Sequence, residues 1–407
     1  MVSTRDDAAA LDAASPLAAR RSLFDLPQDL VYLCGNSLGA LPRAVAERLP
    51  DVVRREWGEG LVGSWNSADW THLANRVGAQ IAPLIGAAPR DVTVGDSTSV
   101  MLFKAIVAAA RMRPDRSVVL VEPTTFPTDG YVADGAARSV GMELRWATGA
   151  LEDAFAEDVA VAVLNHVDFR SGALLDMEAV TAVAHAKGAL TVWDLCHSVG
   201  AVPVDVSGSD ADFAVACTYK YLNGGPGSPA FVWVAPRHQD DVDQPITGWW
   251  GHARPFEMGP DYEPGPGISR MVVGTPPVIA LSSLESALTA FDDVSMSELR
   301  AASLSLSDLF ISLVEERLPG FEILTPRAHE RRGSQVSLRH PLAYPVVQAL
   351  AARRVIGDFR TPDVLRFGFA PLYVRHVDVW HAVEEMVGAL EQDEHLDPAY
   401  SQRQAVT

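Results

Sequence analysis

Lys220 lies in the run Cys217-Thr218-Tyr219-Lys220-Tyr221-Leu222-Asn223-Gly224-Gly225-Pro226-Gly227, directly after the apolar segment Phe213 to Ala216. A lysine placed there, clasped between two tyrosines and followed by a glycine-rich turn, would lose water and lean towards its neutral, nucleophilic form. On its own the pattern equally describes a solvated cation at a strand end. Asp194 upstream closes the unbroken apolar run Ala189 to Trp193, which suits a strand buried on both faces of a parallel sheet. A carboxylate at one strand's carboxyl end and a lysine after the next is the pairing that pyridoxal phosphate requires, one for the ring nitrogen and one for the aldehyde.

Other groups stand where an anion or an aromatic ring would need them. Ser97, Thr98 and Ser99 crowd the start of a helix expected over Val100 to Ala110, where free amides and the positive dipole end favour a phosphate. Simple capping explains one hydroxyl equally well. Small residues in Leu33-Cys34-Gly35-Asn36-Ser37-Leu38-Gly39 would let backbone approach a ligand or merely turn the chain into a helix. Trp65 and Trp70 occupy a polar loop, with core anchoring as the plain alternative. Arg366, between Leu365 and Phe367, points opposite to its apolar neighbours, as solvent-face polarity or as a carboxylate clamp.

The elements that must position these residues alternate. Strands are expected over Ser117–Val121, Val159–Leu164, Ala189–Trp193, Asp212–Ala216 and Ala230–Val234, with helical segments between several of them. This predicts an α/β fold with a largely parallel sheet, its ligand at the rim where Glu122 to Asp129, Asn165 to Asp168 and Asp194 to His197 follow the strands. Residues Met1 to about Leu23 read as a helix or frayed arm, and a helix should run from Pro42 to about Trp57. Asp240 to Pro277, glycine-rich and without periodicity, reads as a covering loop holding Trp249, Trp250 and His252. Helices over Val278–Phe291 and Ser297–Leu318, then strands at Phe321–Leu324, Gln335–Leu338 and Val364–Phe369, indicate a smaller α+β domain. The division is an arm over residues 1–40, a large domain over 41–277 and a small one over 278–407.

The 407 residues are 48% hydrophobic, enough for a large core and two domains sharing one site. Thirty-three basic against 52 acidic residues give a net charge of −19, which argues against nucleic acid or an anionic membrane as partner. Cys34, Cys196 and Cys217 form no CxxC pair, so neither a disulfide framework nor a zinc site is indicated, and His166, His185 and His252 lack metal-ligand spacing. With no signal-peptide pattern and no apolar run of membrane length, the chain reads as cytoplasmic.

With these pieces in place, the stretch from about Tyr32 to Asp378 resembles the kynureninase family, pyridoxal phosphate enzymes of fold type I in the class V aminotransferase superfamily. The resemblance rests on Leu33 to Gly39, Phe126-Pro127-Thr128-Asp129, Asp194-Leu195-Cys196-His197, Thr218 to Asn223, Gly248-Trp249-Trp250-Gly251-His252, Gly274-Thr275-Pro276-Pro277, and Arg366 before Ala370-Pro371-Leu372-Tyr373. Any one segment is weak, and seven in order are strong. The resemblance implies that Lys220 bonds pyridoxal 5'-phosphate, Asp194 pairs with its ring nitrogen, His197 supports that carboxylate and Phe126 stacks on the ring. It implies cofactor contacts from Ser97, Thr98, Asp129, Asn165, Tyr219 and Trp249, with Thr275 reaching the site of the other subunit in a homodimer. Substrate contacts fall to Ser37, Trp65, Trp250, Gly274 and Arg366, the last gripping the α-carboxylate, while Tyr219 shuttles a proton. The implied reaction is hydrolysis of L-kynurenine to anthranilate and L-alanine in tryptophan catabolism and NAD biosynthesis, with 3-hydroxykynurenine a weaker substrate.

Alternatives within and beyond the superfamily are weighed on residues. A kynureninase acting on a substituted kynurenine in secondary metabolism stays open. A cysteine desulfurase or selenocysteine lyase needs a mobile cysteine late in the chain, and none follows Cys217. Aminotransferases and epimerases of the group resemble one another in histidines where this chain has Tyr219 and Phe126. A non-catalytic regulator would be expected to lack Lys220, Asp194 or Arg366, and all three are present. Cys196 beside His197 reads as a buried, inert thiol rather than a nucleophile.

Overall fold

A computed structural model describes residues 4–403, so Met1 to Ser3 of the N-terminal arm and Gln404 to Thr407 of the small domain lie outside the described residues. Strands β1 (Val92–Val94), β2 (Val118–Val121), β3 (Glu143–Trp146), β4 (Val159–Asn165), β5 (Leu190–Asp194), β6 (Phe213–Ala216) and β7 (Phe231–Val234) form one sheet in the order β1-β7-β6-β5-β4-β2-β3. The five strands from β3 to β6 run parallel, and β7 is antiparallel to both β6 and β1. All seven residues of β4 are buried, as its Val/Ala composition requires of a central strand covered on both faces.

Alternation along the strands assigns the two faces. Val119, Val121, Val161 and Val163 pack with Met101, Ala105 and Ala108 of the helix Thr98–Arg111 and with Ala133 and Ala136 of the helix Pro127–Ser139. Val118, Leu120, Ala162 and Leu164 face the larger core on the other side with Val180 and Ala184. Each buried Val or Leu contributes about 1.5–3 kcal/mol of transfer free energy, so the sheet is rigid enough to fix what sits at its rim.

The strands expected in the middle of the sheet are found to within about a residue. β1 and β3 are additions: β3 is an edge strand, Glu-Leu-Arg-Trp, largely solvent-facing and therefore without an apolar run to mark it. The expected helix from Pro42 is observed as Arg43–Asp51 and widens into a π-helix over Val52–Glu59 beyond the internal Pro50. The arm begins as a helix, Arg5–Ala14, closed by a Thr4/Asp7 capping box, and Val31–Tyr32 pairs in parallel with Val355–Ile356.

A second sheet holds β8 (Glu322–Ile323), β9 (Gln335–Arg339), β10 (Asp358–Arg360) and β11 (Val364–Gly368), antiparallel in the order β10-β11-β9-β8. β10 has no counterpart in the sequence reading, because two of its three residues are charged. The helices Val278–Leu288 and Met296–Arg317 match their expected ranges closely. Among the described residues no helix is long and apolar enough to cross a membrane.

Candidate active site

Register in the parallel sheet brings the chemistry together. Asn165 pairs with Asp194, and Asp194 with Val215, so the carboxyl ends of β4, β5 and β6 lie side by side and the turn carrying Lys220 follows the third. That turn is closed by Asn223 N–H donating to the Lys220 carbonyl at 2.9 Å, with Asn223 left-handed at φ 58°. Gly39 explains the small-residue loop. Its N–H donates to the Tyr219 carbonyl at 2.7 Å, and a Cβ at Gly39 would fall 2.3 Å from the Lys220 carbonyl oxygen, so no larger residue fits.

One cavity of about 310 Å³ results, lined by Ser37, Thr98, Ser99, Phe126, Thr128, Asp129, Asn165, Asp194, Cys196, His197, Tyr219, Lys220, Arg360 and Arg366. Lys220 is half-buried, and its Nζ lies 3.2 Å from His197 Nε2. Burial, then the charges of Lys220, Arg366 and Arg360, push His197 well below its usual value, so the imidazole is neutral and can accept from the lysine. His197 thus contacts the lysine directly, whereas the hydrogen bond to Asp194 Oδ1 comes from Cys196 N–H at 2.6 Å.

Asn165 organises the opposite wall. Its Oδ1 accepts from Phe126 N–H at 2.8 Å and from the Thr125 hydroxyl at 3.1 Å, and its Nδ2 donates to Asp129 at 2.7 Å. The Phe126 ring stays 40% exposed within the cavity wall and meets Phe169 edge-on at 5.2 Å. Burial raises the pKa of both Asp129 and Asp194; Asp194 raises Asp129 further, and Lys220 opposes both shifts. A cationic ring nitrogen would relieve that pair, the amine of Lys220 suits an aldehyde, and the helix start at Thr98 and Ser99 suits a phosphate, so the donor set fits pyridoxal phosphate.

Part of the cavity wall is a charged knot. Arg366 on β11 is 1% exposed: Nε donates to Asp358 Oδ1 at 2.7 Å, Nη2 to Asp358 Oδ2 at 2.5 Å and to Ser37 Oγ at 3.1 Å, and Nη1 to the Phe169 carbonyl. Ser37 also donates to Asp358, and Arg360 Nη2 reaches Ser37 Oγ at 3.2 Å and Asp358 Oδ2 at 3.1 Å. Burial raises the Asp358 pKa, but Arg366, Arg360 and Ser37 outweigh it and hold the carboxylate below its usual range.

Several expected site residues lie elsewhere in the single chain. The Ser97 hydroxyl caps the helix by accepting from Val100 N–H at 3.4 Å, and Thr98 and Ser99 line the cavity instead. Trp65 packs on Trp250 at 5.3 Å, Trp250 meets Trp249 at 4.7 Å, and Trp65 meets Trp70 edge-on at 5.7 Å, an aromatic cluster that does not line the Lys220 cavity. Gly274 and Thr275 are likewise absent from that lining. Asp358 and Arg360 are site residues that the sequence reading passed over.

Solved structures share this architecture. A cystine C–S lyase variant with glycine covalently linked to its PLP cofactor superposes with a TM-score of 0.78 at 17% identity, covering 90% of this chain and 98% of that one. An apo cysteine desulfurase from Thermococcus onnurineus gives 0.78 at 17% identity, covering 92% and 98%. The chain has the fold of the pyridoxal phosphate-dependent enzymes of fold type I. A family model described as the kynureninase C-terminal domain matches residues 299–386, and a kynureninase from Burkholderia mallei is 50% identical over 414 aligned residues, covering 99% of this chain and all of that protein. The chain belongs to the kynureninase family, whose cofactor is pyridoxal 5'-phosphate.

Proposed function

We propose that this enzyme hydrolyses the Cβ–Cγ bond of L-kynurenine to give anthranilate and L-alanine. The observation that carries the reading is the convergence of Lys220, Asp194 and Arg366 on one cavity of about 310 Å³ in a chain of this family. Pyridoxal phosphate, when bound, supplies the electron sink for charge developing at the substrate α-carbon. Thr98 and Ser99 at the helix start would hold its phosphate, Phe126 its ring face, and Asp194 its ring nitrogen. Lys220 would take the α-proton and return it to Cα before L-alanine leaves, with neutral His197 beside it. Water adds to the γ-carbonyl, the Cβ–Cγ bond breaks to release anthranilate, and Cβ takes up a proton to become the alanine methyl group. Tyr219 carries that proton. Burial above all keeps its hydroxyl in the protonated form.

The partner reading is a homodimer that completes the site across its interface. An open apolar trough of about 610 Å³, lined by Leu49, Val52, Trp57, Trp70, Pro277 and Ile279, borders the Gly224–Ser228 turn after Lys220, and Trp57 is 55% exposed on it. The Trp65–Trp250 cluster, Trp249, Gly274 and Thr275 would then face the partner's cavity. In this reading residues 41–277 bind the cofactor, residues 278–407 close over the substrate, and the enzyme works in the cytoplasm on tryptophan breakdown. The test is anthranilate release from L-kynurenine by the purified holoenzyme, with its mass in solution measured alongside.

A further inference from the structure

Arg366 is expected to grip the substrate carboxylate, yet its donors are already committed. A guanidinium carries five N–H bonds. Four of those on Arg366 are spent on Asp358, Ser37 and the Phe169 carbonyl, leaving one on Nη1. Arg366 and Asp358 also cancel in charge, so the pair alone offers an incoming anion no net attraction. The remaining positive charge of the knot belongs to Arg360, which lines the same cavity with its side chain 31% exposed. Arg360 donates from Nη1 to the Phe359 carbonyl at 2.8 Å and from Nη2 to Ser37 Oγ and Asp358 Oδ2, which leaves Nε–H and one Nη1 hydrogen.

We propose that Arg360 is a substrate-binding residue, supplying the net positive charge and the second prong for the α-carboxylate while Arg366, locked to Asp358, supplies the first. The proposal rests on the amino-acid reading of this cavity. Ser37 and Asp358 then act together, holding side by side two guanidinium groups whose like charges would otherwise push them apart. Arg360 sits on a short edge strand with its side chain 31% exposed, so replacing it removes neither partner of the buried Arg366–Asp358 pair.

The test compares Arg360→Gln and Arg360→Lys with the unaltered holoenzyme. For Arg360→Gln, KM for L-kynurenine should rise about tenfold to a hundredfold with kcat changed far less, the size expected for losing a charge-assisted hydrogen bond. Arg360→Lys should fall between, since an ammonium restores charge without the fork. A second readout separates recognition from scaffolding: the ratio of dissociation constants for L-alaninamide and L-alanine, followed through the cofactor absorbance. Preference for the carboxylate should fall about tenfold or more in Arg360→Gln. An unchanged ratio of dissociation constants, whether or not KM for L-kynurenine rises, would overturn the assignment. If the unaltered enzyme fails to cleave kynurenine, the proposed function falls, and the carboxylate-to-amide ratio still decides the role of Arg360.

Discussion

Lys220 Nζ and His197 Nε2 lie 3.2 Å apart, and the imidazole is held neutral by burial and by the lysine's own charge. A neutral histidine accepting from the lysine orients the amine without competing for its charge. Borohydride reduction of the holoenzyme should therefore fix the cofactor to Lys220, seen as a mass shift on the peptide containing Tyr219 to Asn223. A shift on Lys104 or Lys187 would end this assignment.

Arg366→Lys should lower kcat/KM by about a hundredfold or more, because an ammonium cannot keep the fork to Asp358 and still meet a carboxylate. Asp358, buried, loses its bidentate partner as well, so a lower melting temperature should accompany the kinetic loss. The fold should survive, and an unchanged kcat/KM would place Arg366 outside the site.

Two buried carboxyl groups give the stability opposite pH slopes. Glu122 is pushed up to about 7 by burial, against a 2.9 Å hydrogen bond from Thr124, with Asp168 adding to the rise. Its folded pKa exceeds the unfolded one, so the folded state binds more protons between pH 4.5 and 7 and stability falls as pH rises through that window. Glu122→Gln should remove that slope, worth about 3 kcal/mol, in urea unfolding followed at several pH values. Burial raises Asp212, but hydrogen bonds from His185, His238 and Thr191 N–H outweigh it and hold it below the usual carboxylate range. Its stabilisation is present above the unfolded carboxylate pKa and lost as pH falls further. Asp212→Asn should therefore cost about 2 kcal/mol at pH 7, with the cost shrinking gradually as pH falls below the unfolded carboxylate value.

In the proposed homodimer, where Trp65, Gly274 and Thr275 face the partner's cavity, the ring preference would depend on these three residues. A tryptophan wall with small neighbours offers a ring hydroxyl few partners, so burying that hydroxyl would cost about 1–3 kcal/mol. L-kynurenine should have a higher kcat/KM than 3-hydroxykynurenine, and Trp65→His should narrow the gap. Equal values for the two substrates in the unaltered enzyme would contradict this view of the pocket.

The parts legible in the sequence are those where a local signal coincides with the tertiary role. Continuous Val/Ala runs mark β4, β5 and β6, and Asp194 and Lys220 are conspicuous because each interrupts or follows such a run. Asp358 and Arg360 left no comparable mark: charged residues on a three-residue strand look like solvent-facing polarity, and only the fold shows Asp358 buried between two guanidinium groups. Arg366 stood out as pointing away from its apolar neighbours, but its four committed donors are a tertiary fact. Trp65 and Trp250 were expected at the substrate, and within one chain they pack on each other instead. In the proposed homodimer their role would be set by the subunit arrangement, which no local pattern encodes.

The most direct test of the central claim is product analysis with purified holoenzyme and L-kynurenine, measuring anthranilate by fluorescence and L-alanine by chromatography. Anthranilate and alanine should appear in equal amounts, and Lys220→Ala should abolish both while still binding the cofactor. Consumption of kynurenine without anthranilate, or anthranilate formation undiminished in Lys220→Ala, would contradict the account.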